Sequence, residues 1–243
     1  MTNLATRHIA PAKKQLPKNK KGEISIVIPA AGMGYRMKSY GPKALIPLYG
    51  GVTIIERQIQ ILSECYPNAE FVIVIGFEAD KIREKLKDYP VHFIFNPIHE
   101  STNVLFSLGL AMQAIISESV LIVYGDLIFN HNAVRNLRAN NSKIIADAYH
   151  NMRKDEVGVT IQGKIAMNFA YGLENIWGQI ACLTGKELEL FKEISVRSDT
   201  SQWFGYEGLN YVIEEGGQLE VIRPRTMSLT EIDFTKDLEK IAI

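Results

Sequence analysis

Short apolar or β-branched runs recur through the first two-thirds of the chain, at residues 24–28, 71–75, 91–95, 120–124 and 143–148. Their length and near-continuous hydrophobicity predict strands buried on both faces. Helical patterns lie between them. Thr53-Ile54-Ile55-Glu56 is a capping box that opens a helix to about residue 64. Residues 78–87 are amphipathic, with Ile82 and Leu86 four apart, and 104–116 carry apolar residues at helical spacing. Asn130 is placed to cap a helix running to about residue 140. Strands separated by helices predict one Rossmann-like α/β domain, a mostly parallel sheet flanked by helices. Residues 150–183 break this rhythm with Gly158, Gly163, Gly172 and Gly178, and predict a small antiparallel addition. Helices at 186–194 and about 199–215, a strand pair around 219–229 and a last helix after Glu231-Ile232-Asp233 complete the reading.

Ligands of such sheets sit outside the carboxyl ends of the strands. The loop after the first run reads Pro29-Ala30-Ala31-Gly32-Met33-Gly34-Tyr35-Arg36-Met37, with Pro42-Lys43 close behind, and Gly125-Asp126 follows the fourth. Both loops follow strands and can therefore face one cleft. Small residues let backbone N–H groups approach an anion, and Arg36 and Lys43 can neutralise it. A dinucleotide fingerprint needs a third glycine where Met37 stands, and a Walker loop needs Gly-Lys-Ser/Thr; neither is present. A plain strand-to-helix turn explains the glycines but not the two cations. Asp126 suits a hard cation such as Mg²⁺, or a simple cap. Asp233 suits the same ion or the start of the final helix. In an extended segment, residues 231 and 233 point to the same side.

Composition narrows the setting. The 243 residues can bury a sizeable core, and 27 basic against 27 acidic residues give no sign of a nucleic-acid or membrane surface. The balance hides an arm. Residues 1–22 hold Arg7, Lys13, Lys14, Lys18, Lys20 and Lys21 and no acid, so they read as a flexible basic extension of a domain at 23–243. Only Cys65 and Cys182 are present, far apart, which fits a reducing cytoplasm. The five histidines (His8, His92, His99, His131, His150) have no metal-ligand spacing.

Taken together, Ala30-Ala31-Gly32-Met33-Gly34-x-Arg36-Met37, Pro42-Lys43, Gly125-Asp126 and Glu231-Ile232-Asp233-x-x-x-Asp237-Leu238 strongly resemble the nucleotidylyltransferases of the glycosyltransferase-A-like fold. These include sugar-phosphate nucleotidylyltransferases and small cytidylyltransferases of the phosphocholine and aminoalkylphosphonate type. The resemblance covers the chain from about residue 24 onward. It implies that Ala30, Ala31, Gly32, Met33 and Gly34 wrap the base and triphosphate, and that Asn103 reads the base edge, although a bare helix cap suits Asn103 equally. It implies that Arg36 meets the β- and γ-phosphates, that Lys43 stabilises charge at the α-phosphate, and that Asp126 and Asp233 hold Mg²⁺. The stretch from Asn96-Pro97 to Ser107-Leu108 is similar to that of the phosphocholine-type enzymes and points to CTP.

The expected reaction transfers a nucleoside monophosphate to a small phosphorylated acceptor (phosphocholine, a phosphonate or a phosphoglutamine-like compound) for a surface glycan or capsule precursor. A sugar 1-phosphate acceptor is the alternative, and a non-catalytic nucleotide-binding regulator ranks lower. Trp177, Trp203, Tyr206 and Glu207 fall where such enzymes build the acceptor pocket, with Phe204 and Tyr211 nearby. Aromatic faces there suit a quaternary ammonium, and core packing suits them as well. A glycosyltransferase would show Asp-x-Asp, whereas Asp126-Leu127-Ile128 does not. A homodimer is unsurprising for such a fold.

Overall fold

In the computed structural model, the described residues are 24–33, 41–135, 137, 141–147, 156–233 and 237. The basic arm, Gly34, Arg36 and all of the final helix but residue 237 lie outside them.

Strand β1 (Ile24–Ala30) runs parallel to β2 (Glu70–Ile75) on one side and to β4 (Ser119–Val123) on the other. Strand β3 (Val91–Phe95) extends the parallel half beyond β2. On the far side of β4, β9 (Asn175–Thr184) runs antiparallel to both β4 and β6 (Lys143–Asp147). The sheet has nine strands in the order β3-β2-β1-β4-β9-β6-β10-β8-β7, where β7 is Val157–Gln162, β8 is Ile165–Tyr171 and β10 is Glu220–Ile222. The glycine-punctuated segment is thus the antiparallel addition its sequence predicts. A separate ribbon pairs β5 (Leu127–Phe129) antiparallel with β11 (Leu229–Glu231).

Alternation along β1 explains the layers. Val27 joins a core with Val72, Leu105, Leu108, Ile122 and Phe191, covered by helices α3 (Val104–Ala114), α5 (Gly185–Ser195) and α6 (Gly205–Glu214). Ile26 and Ile28 face the opposite core with Ile55, Ile59, Leu62, Ile73 and Ile82, under α1 (Ile54–Cys65), α2 (Ala79–Lys85) and α4 (His131–Val134). Period-two strands buried on both faces require helices on both faces, and that is the observed mixed α/β architecture. Helix α1 begins at the predicted capping box: the Thr53 N–H donates to Glu56 Oε2 at 2.9 Å, and the Glu56 N–H returns to the Thr53 hydroxyl.

Three expectations fail in detail. Asn130 caps α4 through the Ala133 N–H, but Arg135 is extended (ψ 137°) and the helix ends at Val134. The helix expected over 199–215 is a single 3₁₀ turn at Ser198–Thr200 followed by α6 from Gly205, because Phe204 is extended (ψ 163°) and its N–H is capped by the Glu207 carboxylate. The segments around 219–229 do not pair with each other. Strand β10 inserts between β6 and β8, and β11 pairs with β5, since each three-residue piece completes a different open edge.

Candidate active site

Strands β1 and β4 end side by side at the mouth of a cleft of about 560 Å³. Ala30, Ala31, Gly32 and Met33 line it after β1, and Gly125-Asp126 line it after β4. The two turns touch: a Cβ on Gly125 would stand 2.8 Å from the Pro29 carbonyl oxygen, so only glycine lets them meet. Around Gly32 a Cβ would meet nothing, which leaves the backbone there bare to the cleft.

The β5–β11 ribbon brings the distant acids to this point. Its register sets Glu231 opposite Leu127, and the Ile232 N–H donates to the Asp126 carbonyl at 3.0 Å. Ile232 is fully buried against Ile46, Ile54 and Ile128, so its neighbours 231 and 233 turn to the cleft, as extended parity requires. Carboxylate oxygens of Asp126, Glu231 and Asp233 lie within 4.8 Å of one another. Lys43, on a 3₁₀ turn (Lys43–Leu45), donates from Nζ to Asp126 Oδ2 at 3.0 Å and to Asp233 Oδ1 at 2.6 Å.

Charge follows from this crowding. Burial opposes the Lys43 ammonium, but Asp126 and Asp233 outweigh burial and hold its pKa above the ordinary lysine value. Glu231 is pushed up to about 8 by burial, then by Asp126 and Asp233, against the pull of Lys43 and a bond from Gln179. Burial, with Asp126 and Glu231 beside it, also raises the Tyr124 hydroxyl far above its usual range, against a backbone bond with Gly205. Three carboxylates therefore share one described ammonium. That excess of hard oxygen donors at ligand spacing fits a divalent cation such as Mg²⁺.

On the opposite wall the lining is aromatic. Tyr206 meets Tyr171 edge-on at 5.8 Å and stacks with Phe204 at 5.9 Å, while Trp177 meets Tyr124 edge-on at 5.7 Å. Tyr171 and Phe204 are about half exposed. The Trp177 indole N–H is buried and has no hydrogen-bond partner among the described residues.

Of the residues singled out from the sequence, Ala30, Ala31, Gly32, Met33, Lys43, Asn103, Asp126, Trp177, Tyr206 and Asp233 line this one cleft. Asn103 does so while also capping α3, its side chain accepting the Val104 N–H at 2.8 Å. Trp203 and Glu207 are not in the lining. Trp203 packs against the α3–α6 core, and Glu207 is occupied by the Phe204 N–H at 2.7 Å. Arg36 and Gly34 fall outside the described residues. Glu231, Tyr171 and Gln179 were not singled out as site residues; for Glu231 the parity with Asp233 was the available signal.

The sequence model of the family described as the MobA-like NTP transferase domain matches residues 26–193. Among curated proteins, the bifunctional protein GlmU of Synechococcus sp. is 30% identical over 151 residues, covering 62% of this chain and 22% of that protein. GlmU of Coxiella burnetii is 38% identical over 108 residues, covering 43% of this chain and 22% of its own length. The matches thus span about a fifth of the curated relatives. The fold is similar to the CTP:phosphocholine cytidylyltransferase LicC of Streptococcus pneumoniae, with TM-score 0.76 and 19% identity over 90% of this chain and 97% of that one. It is also similar to the inositol-1-phosphate CTP transferase of T. maritima, with TM-score 0.72 and 19% identity over 90% and 93%. A glucose-1-phosphate thymidylyltransferase of Bacillus anthracis gives TM-score 0.74 and 16% identity over 89% and 93%.

Proposed function

This chain belongs to the MobA-like NTP transferase family, and we propose that it is a Mg²⁺-dependent cytidylyltransferase acting on a small phosphorylated acceptor. The observation that carries this reading is the Lys43 ammonium bonded to two of three clustered carboxylates beside the bare backbone of 30–33. No enzyme nucleophile is needed. A phosphate or phosphonate oxygen of the acceptor attacks the α-phosphorus of the nucleotide; the new P–O bond forms as the α–β anhydride bond breaks, and pyrophosphate leaves in line.

Lys43 remains protonated at neutral pH and neutralises charge developing on the α-phosphate, a preorganised electrostatic contribution. Asp126 and Asp233, with Glu231, would hold Mg²⁺ and thereby supply charge neutralisation to the triphosphate and acceptor. The backbone after β1 binds the nucleotide, and Asn103 meets the base. Arg36, near in sequence, meets the outer phosphates. Tyr171, Phe204, Tyr206 and Trp177 enclose the acceptor and exclude water from it. Their faces suit a cationic head group such as that of phosphocholine. The likeness to two CTP-using enzymes supports the choice of nucleotide, and a role in surface glycan or capsule precursor synthesis follows from such an acceptor.

A pyrophosphate-release assay with Mg²⁺ tests the reading, crossing CTP, UTP, GTP, ATP and dTTP with phosphocholine, aminoethylphosphonate, phosphoglutamine and several sugar 1-phosphates. CTP-dependent release with one small acceptor is the expected result. Release only with a sugar 1-phosphate overturns the acceptor, and nucleotide binding without release from any pair overturns the enzyme.

A further inference from the structure

The three carboxylates hang from a turn and from the end of a three-residue strand, and glutamines on two longer elements bond to those two segments. Gln58 sits in the middle of α1 and is 2% exposed. Its Nε2 donates to the Tyr124 carbonyl at 2.8 Å and to the Leu127 carbonyl at 2.7 Å. Those carbonyls bracket Gly125-Asp126, so one amide closes both ends of the turn that carries Asp126. Both partners are acceptors, which fixes the orientation of the amide. The Gln58 Oε1 is buried without a hydrogen-bond partner among the described residues. A core residue half satisfied in this way costs stability, and its gain must lie in the two bonds its nitrogen makes.

Gln179 reaches the second segment from β9. Between Ile144 and Ala146 of β6, the paired residues of β9 step from Ala181 to Trp177, so β9 carries extra residues in a bulge. Gln179 lies in that bulge with φ +54°, a left-handed conformation costly for a residue with a Cβ. Bulges beside active sites re-aim side chains, and this one directs the Gln179 Nε2 to Glu231 Oε2 at 2.5 Å. Its neighbour Gly178 lets β11 come close, since a Cβ there would stand 2.5 Å from Leu229 Cδ2.

We propose that Gln58 and Gln179 are positioning residues for the metal-binding carboxylates, Gln58 through the Asp126 turn and Gln179 through Glu231. The inference rests on the metal reading of that cluster. Removal of such outer partners characteristically weakens metal binding about 10- to 100-fold.

The test is Mn²⁺ binding to the full chain without nucleotide, followed by electron paramagnetic resonance, with thermal unfolding in EDTA run alongside. Gln58→Met keeps the volume and removes the donors; it is expected to raise the Mn²⁺ Kd at least about tenfold. Gln179→Gly removes the amide while relieving the left-handed backbone. It is expected to unfold no earlier than the parent yet to bind Mn²⁺ about tenfold more weakly, a split that a purely structural role does not produce. Ile59→Val, next to Gln58 in the α1 core, is expected to lower stability and leave the Kd unchanged. Should Gln58→Met fail to fold, Gln179→Gly decides alone. Folded glutamine variants with a Kd within about twofold of the parent, or an equal loss in Ile59→Val, overturn the proposal while the metal reading stands. A parent chain that binds no Mn²⁺ overturns both.

Discussion

The two walls of the cleft are built by different means. The wall after β1 and β4 is made of backbone, one ammonium and three acids, fixed by parallel register, by the β5–β11 pairing and by hydrogen bonds from Lys43. The opposite wall is made of rings on β8, β9 and α6, touching one another edge-on or stacked. Charge and geometry on the first wall are over-determined, because each acid is held by more than one bond or neighbour. Ring contacts on the second wall are weak singly and adaptable together. Under the proposed reading, the first wall belongs to the reaction and the second to the choice of acceptor.

The sharpest way to break this division is Lys43→Ala. With Mg²⁺ present, steady-state pyrophosphate release is expected to fall by on the order of 10²–10³ or more while circular dichroism reports an intact fold. Near-parental turnover would remove Lys43 from the reaction. Next in size, Asp126→Asn is expected to raise the Mg²⁺ concentration for half-maximal rate by on the order of 10- to 100-fold, with the acceptor KM at saturating metal little changed. On the other wall, Tyr206→Ala should raise the KM for a cationic acceptor by about 2- to 30-fold, the range of one cation–π contact, with the nucleotide KM unmoved. A comparable loss with a neutral acceptor would make Tyr206 a packing residue.

The smallest effect serves as a control outside both walls. Burial alone would raise Glu56, but the Thr53 N–H and hydroxyl and Lys85 hold it below the ordinary glutamate value. A folded-state pKa below the unfolded one contributes stability above the unfolded value of about 4.3 and loses it as pH falls through the folded value. Glu56→Ala is therefore expected to lower Tm by about 2–4 °C near neutrality, with the gap closing in acid and neither KM changing.

Much of the first wall was legible because its signals are local. Apolar runs mark where strands end, the residues after those ends are the ones that bind, and the capping box at Thr53 is complete within four residues. Asp126 and Asp233 each suited either one shared ion or a helix cap, and only the resemblance favoured the ion, since the ribbon that joins them has three residues on each side. The second wall was read with its face shifted. The resemblance put Trp203 and Glu207 in the acceptor pocket, and the pattern gave one helix over about 199–215; instead the chain breaks at Phe204, Trp203 packs against the core and Glu207 is a cap. Gln179 was invisible because a bulge, not a motif, aims it.

The β5–β11 ribbon has a consequence for synthesis. Asp126 and Leu127 leave the ribosome roughly 5–20 s before Glu231, at 5–20 residues per second. Throughout that interval the parallel strands and their helices can assemble, yet β5 lacks its partner and two of the three acids do not exist. A nascent chain is therefore expected to gain its fold before its chemistry, so that turnover begins only once the last strand is laid down.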